Sequence, residues 1–309
     1  MRRLRVRKRG ASLAPLPDGF LGQVVGLMQF KVGADLEYDV IERSTVLFNI
    51  RALRTPRQAV LEEQFSVEPN VPYEDMVSAN GENRFVRLDT GEATKLTVHY
   101  TARVETQVTT CPRSEIESMP IAEFDRAVIP FLFPSRYCQS DKLGRLAWKQ
   151  FGFYGHPYDQ VSAIADWIHD NVEYLQGSTN SATSAFDTVT ERAGVCRDFA
   201  HLGIAFCRAL SIPARYFSGY AYRLEPPDFH ACFEAYIGNR WYIFDPTRLA
   251  PLNGLVRTSV GRDAADASIA TVFGQIFCTT MAVRSEVLDA GFRPWTREDG
   301  ERCGLSLEG

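Results

Sequence analysis

The first third of the chain has the hydrophobic pattern of short β-strands separated by turns. Residues 36–41 and 59–67 alternate apolar with charged side chains, and residues 96–102 are rich in strand-forming types. Asn80-Gly81 is a strong signal for a tight turn in the middle of this stretch. Short strands at this spacing are typical of an antiparallel sandwich. Residues 28–105 are therefore predicted to form an antiparallel β-sandwich, with a structural or substrate-positioning role.

The hydrophobic pattern changes to helical spacing in the second half of the chain. Apolar residues recur with a helical period between Tyr158 and Tyr174, which predicts an amphipathic helix. Ser184, three residues before Asp187, has the spacing of a capping box and predicts a second, short helix that ends at Gly194. A third apolar stripe follows Cys196 directly, so this cysteine is predicted to lie at a helix N-terminus.

A β-hairpin is predicted after the third helix, between two strand-like runs that Gly238-Asn239 connects. If the loop has two residues, Tyr236 pairs with Trp241 and the same register brings Cys232 opposite Asp245. His230 shares a face with Cys232, because side chains two positions apart on a strand point the same way. His230 and Asp245 are then diagonal cross-strand neighbours within reach of a hydrogen bond.

These patterns divide the chain into five predicted parts. They are a disordered basic arm (1–27), a β-sandwich-like N-terminal domain (28–110), a proline-containing connecting region (111–157), a catalytic core (158–285) and a C-terminal tail (286–309). Residues 264–278 are expected to form a helix that closes the core, and the charged tail from Arg297 is expected to be exposed.

Charge and composition exclude some classes of function. The formal net charge of −4 gives no electrostatic footprint for nucleic acid, although six basic residues fall within the first ten positions. No apolar run approaches the ~20 residues that span a bilayer, so no membrane partner is predicted. Seven cysteines without a C-x-x-C pair do not resemble a disulfide framework. With no apolar signal sequence after the basic cluster, we expect a cytoplasmic protein with reduced thiols.

Cys196 is the cysteine in a setting that favours chemistry. Unsatisfied backbone N–H groups and the helix dipole at a helix N-terminus stabilise a thiolate, which is the nucleophilic form. The same N–H groups can hold the oxyanion that forms when an acyl carbon is attacked. Cys207, by contrast, lies near the end of the helix on its buried stripe.

Cys196, His230 and Asp245 together form a candidate catalytic triad. His230 would act as the base, and Asp245 would orient the imidazole and stabilise its charged form. The main alternative is a zinc site, because Cys196, His230, Cys232 and Asp245 are all permitted zinc ligands. The absence of C-x-x-C spacing argues against zinc, and neither a metal nor another cofactor is predicted. Arg197 and Asp198 are expected to be ion-pair and helix-start residues.

Four sequence blocks resemble the core of the transglutaminase-like superfamily, whose catalytic arrangement is similar to that of papain-type proteases. They are AGVCRDFA (193–200), PARY (213–216), FHA (229–231) and WYIFDPT (241–247). Residues 28–133 are similar to the β-rich N-terminal region of bacterial transglutaminase-like proteins. The resemblance implies an α+β fold, with an N-terminal antiparallel β-sandwich followed by a papain-like core. It also implies Cys196 as nucleophile, His230 as base and Asp245 as orienting residue.

The resemblance implies acyl transfer through a thioester but leaves the acceptor open. Hydrolysis of peptide or isopeptide bonds in a protein or peptide substrate is favoured, because no EF-hand pattern or additional domain of the animal transglutaminases is present. Transfer of a glutaminyl acyl group to an amine is the alternative. A third hypothesis is a binding scaffold with an inactive core. Tyr174 is a candidate for a second oxyanion donor or for the wall of the cleft.

Overall fold

A computed structural model describes residues 23–79 and 81–308 of the chain. The strands in these residues, β1 to β15 in chain order, are Gln23–Val40, Thr45–Phe48, Gln58–Glu68, Tyr73–Val77, Arg84–Asp89, Lys95–Pro112, Glu173–Tyr174, Ala193–Gly194, Ala214–Ala221, Phe229–Ile237, Arg240–Phe244, Leu255–Gly261, Ala270–Phe273, Ile276–Val287 and Cys303–Ser306. The α-helices, α1 to α6, are Ser140–Phe151, Pro157–Asn171, Ala185–Glu191, Cys196–Ala209, Ala264–Ala267 and Arg297–Arg302. Residues 1–22 of the predicted basic arm, and Asn80 of the predicted turn, lie outside the described residues.

Two antiparallel sheets, built mainly from strands of the first 112 residues, face each other. One has the strand order β14-β1-β6-β15, with β3 also paired to β6, and the other has the order β13-β2-β5-β4. Alternate residues of the strands point inward, and the fully buried ones include Phe30 and Leu36 of β1, Phe48 of β2, Leu88 of β5 and Val98 of β6. This arrangement confirms the predicted antiparallel sandwich, because the alternating pattern buries one face of each strand.

The second half of the chain packs helices on an antiparallel sheet with the strand order β11-β10-β9-β12. The long helix α4 lies across β10, where a Cβ atom at Gly203 would come within 2.4 Å of the ring of Phe233. Glycine at this position therefore lets the helix approach the sheet closely. Phe199 and Phe206 of the same helix are buried in the core that α1 and α2 also line. The predicted α+β core is confirmed.

The predicted hairpin between β10 and β11 is confirmed in its register, with Tyr236 opposite Trp241 and Phe233 opposite Phe244. Gly238 and Asn239 both have positive φ, at 54° and 65°. A two-residue turn of this kind matches the twist of the flanking strands and favours glycine and asparagine. Local turn chemistry therefore sets which residues of β10 and β11 share a face.

The ends of the predicted helices follow local capping. Helix α3 begins after Ser184, whose N–H and hydroxyl both donate to Asp187, at 2.9 and 2.7 Å, so the predicted capping box is confirmed. The helix ends at Glu191 instead of Gly194, because Arg192 takes a left-handed conformation with φ 60°. Gly194 belongs instead to β8, which pairs in parallel with β7.

The connecting region contains a helix that was not predicted. Three short 3₁₀ helices (Arg113–Glu115, Ile121–Glu123 and Ile129–Leu132) precede α1 there. Leu143, Ala147 and Phe151, four positions apart, are the buried apolar side chains of α1. That spacing is a helical signal, which the abundance of proline in the surrounding sequence obscured.

The strand pairing crosses the predicted divisions of the chain. Strand β14, from the predicted core, pairs with β1, and β15, from the predicted tail, pairs with β6. The prediction of a helix over residues 264–278 is wrong beyond α5, because the following Thr- and Val-rich residues complete β13 and begin β14. The expected exposure of the tail is also wrong for residues 304–307, which are buried. Apart from these pairings, the division into domains stays a prediction.

A buried ion-pair network ties the core sheet to the end of the chain. Glu234 of β10 is fully buried and accepts from Arg215 of β9 at 2.6 Å and from Arg257 of β12. Glu308, just after β15, binds both arginines. Because both arginine side chains are only 3% exposed, the two carboxylates neutralise charges that water cannot reach.

None of the helices within residues 23–79 and 81–308 is both long enough and apolar enough to cross a bilayer.

Candidate active site

Cys196 is the first residue of α4, as predicted. Val195 before it is extended, and its N–H donates to the carboxylate of Asp198 at 3.0 Å, which closes the first turn of the helix. Arg197 also binds this buried carboxylate, at 2.9 Å, so the predicted helix-start and ion-pair roles are confirmed. Cys196 itself is partly exposed, whereas Cys207 near the other end of the helix is fully buried. The thiol of Cys196 can therefore be reached at the positive end of the helix dipole.

His230 and Asp245 contact each other in the way that the strand register predicts. His230 lies on β10 and Asp245 follows β11, and Nε2 of His230 lies 2.8 Å from Oδ2 of Asp245. The other carboxylate oxygen, Oδ1, accepts from the backbone N–H of Thr247 at 2.9 Å and from its hydroxyl at 2.7 Å. These bonds hold the carboxylate in one orientation, and with it the imidazole.

Burial and charge shift the pKa of His230 in opposite directions. Burial lowers the pKa of His230, but the charges of Asp245 and Cys232, the hydrogen bond to Asp245 and the nearby thiol of Cys196 raise it well above its usual value. Burial likewise raises the pKa of Asp245, and His230 and Thr247 outweigh that effect and lower it. The pair is therefore stabilised as imidazolium and carboxylate.

The second ring nitrogen of His230 is the one left for the thiol. Asp245 engages Nε2, while Nδ1 is buried and makes no hydrogen bond to any residue in the described part of the chain. The thiol of Cys196 is one of the groups that raise the pKa of the His230 ring. An imidazole held in this way can exchange a proton with a sulfur on its Nδ1 side.

Tyr174 lies beside the thiol, on the short strand β7 that pairs with β8 just before Cys196. Its ring packs on Phe199 at 5.8 Å, and the residue is 37% exposed. Burial and the charge of Cys196 raise the pKa of Tyr174 to about 12, against the lowering effect of His230 and of a backbone hydrogen bond from Cys196. A phenol in this position stays protonated at neutral pH and can donate a hydrogen bond.

Three of the four residues considered as zinc ligands come together. The ligand atoms of His230, Cys232 and Asp245 all lie within 4.8 Å of one another, and Cys196 is not part of this group. Burial raises the pKa of Cys232 to about 12, with Asp245 adding to the effect. Because hydrogen bonds from His230 and Thr247 occupy both oxygens of Asp245, the donor set fits a triad better than it fits a closed tetrahedral metal site.

The structure thus brings together all four residues singled out from the sequence, namely Cys196, His230, Asp245 and Tyr174. Thr247, which fixes the carboxylate of Asp245, was quoted in a sequence block but not assigned a role. The signal for it is the Asp-Pro-Thr turn, because an aspartate commonly accepts hydrogen bonds from the residue two positions on. The catalytic roles of these residues stay predictions.

Two family models match the chain. The core of the transglutaminase-like superfamily matches residues 145–246, which include Tyr174, Cys196, His230 and Asp245. The N-terminal domain of bacterial transglutaminases matches residues 28–127, which form most of the sandwich.

The chain is also similar to a solved structure and to curated proteins. A candidate cysteine protease from Cytophaga hutchinsonii is 55% identical, and the match covers 93% of this chain and 100% of that chain with a TM-score of 0.91. An uncharacterized protein of Mycobacterium leprae is 30% identical over 188 residues, which are 56% of this chain and 66% of the relative. An uncharacterized protein of Mycobacterium tuberculosis is 41% identical over 64 residues. The match thus covers just under two thirds of the first curated relative and 20% of the second.

Proposed function

Because the chain belongs to the transglutaminase-like superfamily, we propose that it is a cysteine-nucleophile acyl-transfer enzyme that hydrolyses peptide or isopeptide bonds. The observation that carries the proposal is the spatial arrangement of Cys196, His230 and Asp245. The accessible Cys196 thiol at a helix N-terminus lies beside His230, whose far nitrogen is bound to Asp245. The relative from Cytophaga hutchinsonii, described as a candidate cysteine protease, supports hydrolysis as the outcome.

The proposed reaction has two halves. Nδ1 of His230 takes the proton of Cys196, and the thiolate attacks the carbonyl carbon of the substrate. The new C–S bond replaces the C–N bond as His230 gives its proton to the departing amine. Water then gives a proton to Nδ1 as its oxygen attacks the thioester carbon. The C–S bond breaks to release the acid, and the imidazolium returns the proton to the sulfur.

In the proposed reaction, groups at and beside the start of α4 stabilise the oxyanion that forms when the thiolate attacks the carbonyl carbon. The backbone N–H of Cys196 is one donor to the oxyanion, as predicted for a nucleophile at a helix N-terminus. We assign Tyr174 as the second donor, because β7 pairs it with Gly194, two residues before Cys196, its ring packs on Phe199, and a phenol carries a proton at neutral pH. The raised pKa of His230, caused chiefly by Asp245 against the effect of burial, supports a thiolate–imidazolium pair before substrate arrives.

The pH dependence of Cys196 alkylation tests the triad. With iodoacetamide, the wild type should label Cys196 at a nearly constant rate between about pH 6 and 8, because the pair keeps the sulfur ionised. In His230→Ala the rate should fall about tenfold for each pH unit below 8, since an ordinary thiol ionises near pH 8.5. Peptide mapping by mass spectrometry measures the rate at each cysteine.

A second histidine provides the control for this experiment. His99 of β6 is 44% exposed and pairs with Asp35, away from the candidate site. His99→Ala should keep the wild-type profile at Cys196. If the wild type itself shows the steep profile of an ordinary thiol, the triad has no role in activating Cys196.

The alternative acceptor is an amine, which would make the protein a transglutaminase. Incubation with casein and dansylcadaverine separates the outcomes, because hydrolysis shortens the casein and transfer attaches the fluorescent amine to it. We expect cleavage without incorporation, both measured on gels. Incorporation that disappears in Cys196→Ser would establish transfer instead. Neither reaction, together with an ordinary alkylation profile, would favour the binding scaffold.

We further propose a cytoplasmic location. All seven cysteines are free, and most are buried, which suits a compartment that keeps thiols reduced. Cell fractionation tests this, and recovery of the protein outside the cytoplasmic fraction would contradict it.

A further inference from the structure

A cavity of about 590 Å³ has Asp245 in its wall. Its walls come from α2, from the end of β11 and the loop that follows it, from residues 294–305, and from Arg113 and Arg223. Neither Cys196 nor His230 lines it, so the cavity does not contain the proposed nucleophile or base. A volume of this size is in the range of pockets that hold small organic molecules, roughly 300–1,000 Å³.

The acidic side chains that line the cavity are already neutralised. Asp166 pairs with Arg248, and Glu301 pairs with Arg297 at 3.3 Å. The third, Asp245, is bound to the imidazole of the proposed triad. The negative charges in the wall therefore offer little repulsion to an incoming anion.

Two further arginines in the wall have hydrogen-bond donors to spare. Arg223 donates from Nε to the hydroxyl of Tyr222 at 3.1 Å, and no carboxylate pairs with it in residues 23–79 and 81–308. Arg113 uses Nε and one terminal nitrogen on a single oxygen of Asp159, at 2.9 and 2.6 Å. Because a guanidinium has five N–H donors in a planar fork, both side chains can still bind a carboxylate, sulfonate or phosphate group.

The wall formed by the C-terminal segment is apolar and fixed in place. Trp295 packs with Leu249 and Leu252 against the core beneath them. The backbone N–H of Trp295 donates to the side chain of Asn253 at 2.8 Å, and the same side chain donates to the carbonyl of Arg293 at 2.8 Å. An apolar body can therefore pack on a preformed surface, which lowers the entropic cost of binding.

We propose that this cavity is a second binding site, which takes an organic anion with an aromatic or aliphatic body. The anionic group binds the guanidinium of Arg223, and the body packs on Trp295. The site does not depend on acyl transfer, so its existence and the proposed enzymatic function can be tested separately.

Binding of anilinonaphthalene sulfonate to the full-length chain tests the proposal. This probe is an aromatic anion whose fluorescence rises in an apolar environment. We expect one saturable site per chain, measured by fluorescence titration. Arg223→Gln should weaken binding at least about tenfold, because a charge-assisted hydrogen bond is lost. Ala165→Phe, which fills the cavity from α2, should abolish the saturable site.

Arg145→Gln is the matched control, because this arginine is exposed on α1 and does not line the cavity. It should bind the probe as the wild type does. Equal affinity of Arg223→Gln and wild type would overturn the proposal, as would several weak sites per chain. Thermal melting of each variant separates loss of binding from loss of folding.

Discussion

A Cys196→Ala variant is expected to lose the burst of p-nitrophenolate that the wild type releases from p-nitrophenyl acetate. This activated ester acylates a reactive thiolate without requiring the side chains of the natural substrate. The wild type should release about one equivalent per chain and carry an acetyl group on Cys196, as intact-mass and peptide spectrometry would show. Without the sulfur no acyl-enzyme can form, and the acylation rate should fall by at least about 10⁴-fold.

The control for this variant is Cys278→Ser. Cys278 is the exposed cysteine of β14, and partial desolvation raises the pKa of its thiol. It does not lie at a helix N-terminus. Its removal should leave the burst unchanged. If Cys278→Ser removes the burst and Cys196→Ala keeps it, the ester reports an ordinary surface thiol and Cys196 is not the nucleophile.

A Glu234→Gln variant should lower the free energy of unfolding by about 3–5 kcal/mol. Glu234 is fully buried between Arg215 and Arg257, and the amide cannot neutralise two guanidinium groups that are each only 3% exposed. The loss of one partner from a buried ion pair leaves the other charge without compensation, which is the costly part. Urea denaturation followed by circular dichroism measures the change in the midpoint and slope.

Glu74→Gln is the matched control for that substitution. Glu74 pairs with Arg87 on the surface of the sandwich, where the two side chains are 58% and 51% exposed. An exposed ion pair contributes about 0–1 kcal/mol, so the midpoint should hardly move. Equal losses in the two variants would mean that Glu308 alone is enough to neutralise the buried arginines.

The contact between His230 and Asp245 follows from the sequence because it depends on local rules. The two-residue turn at Gly238 and Asn239 sets the register, and the two-residue period of a strand sets which side chains share a face. The placement of Cys196 at a helix start follows in the same way from the apolar stripe after it. The alternation in the first hundred residues likewise predicts the sandwich.

Features that depend on distant parts of the chain could not be predicted. The edge strands β14 and β15 pair with β1 and β6, more than 190 residues away, and nothing local in residues 276–306 identifies those partners. The cavity beside Asp245 has walls from five separate segments, so it exists only once they meet. The role of Thr247 depends on a hydrogen bond whose geometry the sequence pattern does not contain.

The pairing of β14 with β1, and of β15 with β6, has a consequence for the order of events during translation. Strands β1 and β6 leave the ribosome well before β14 and β15, which complete their sheet, have been synthesised. Until then the nascent chain carries open strand edges, which can associate with other chains. A ribosome that stalls between β6 and β14 would therefore leave an aggregation-prone, unfinished sandwich.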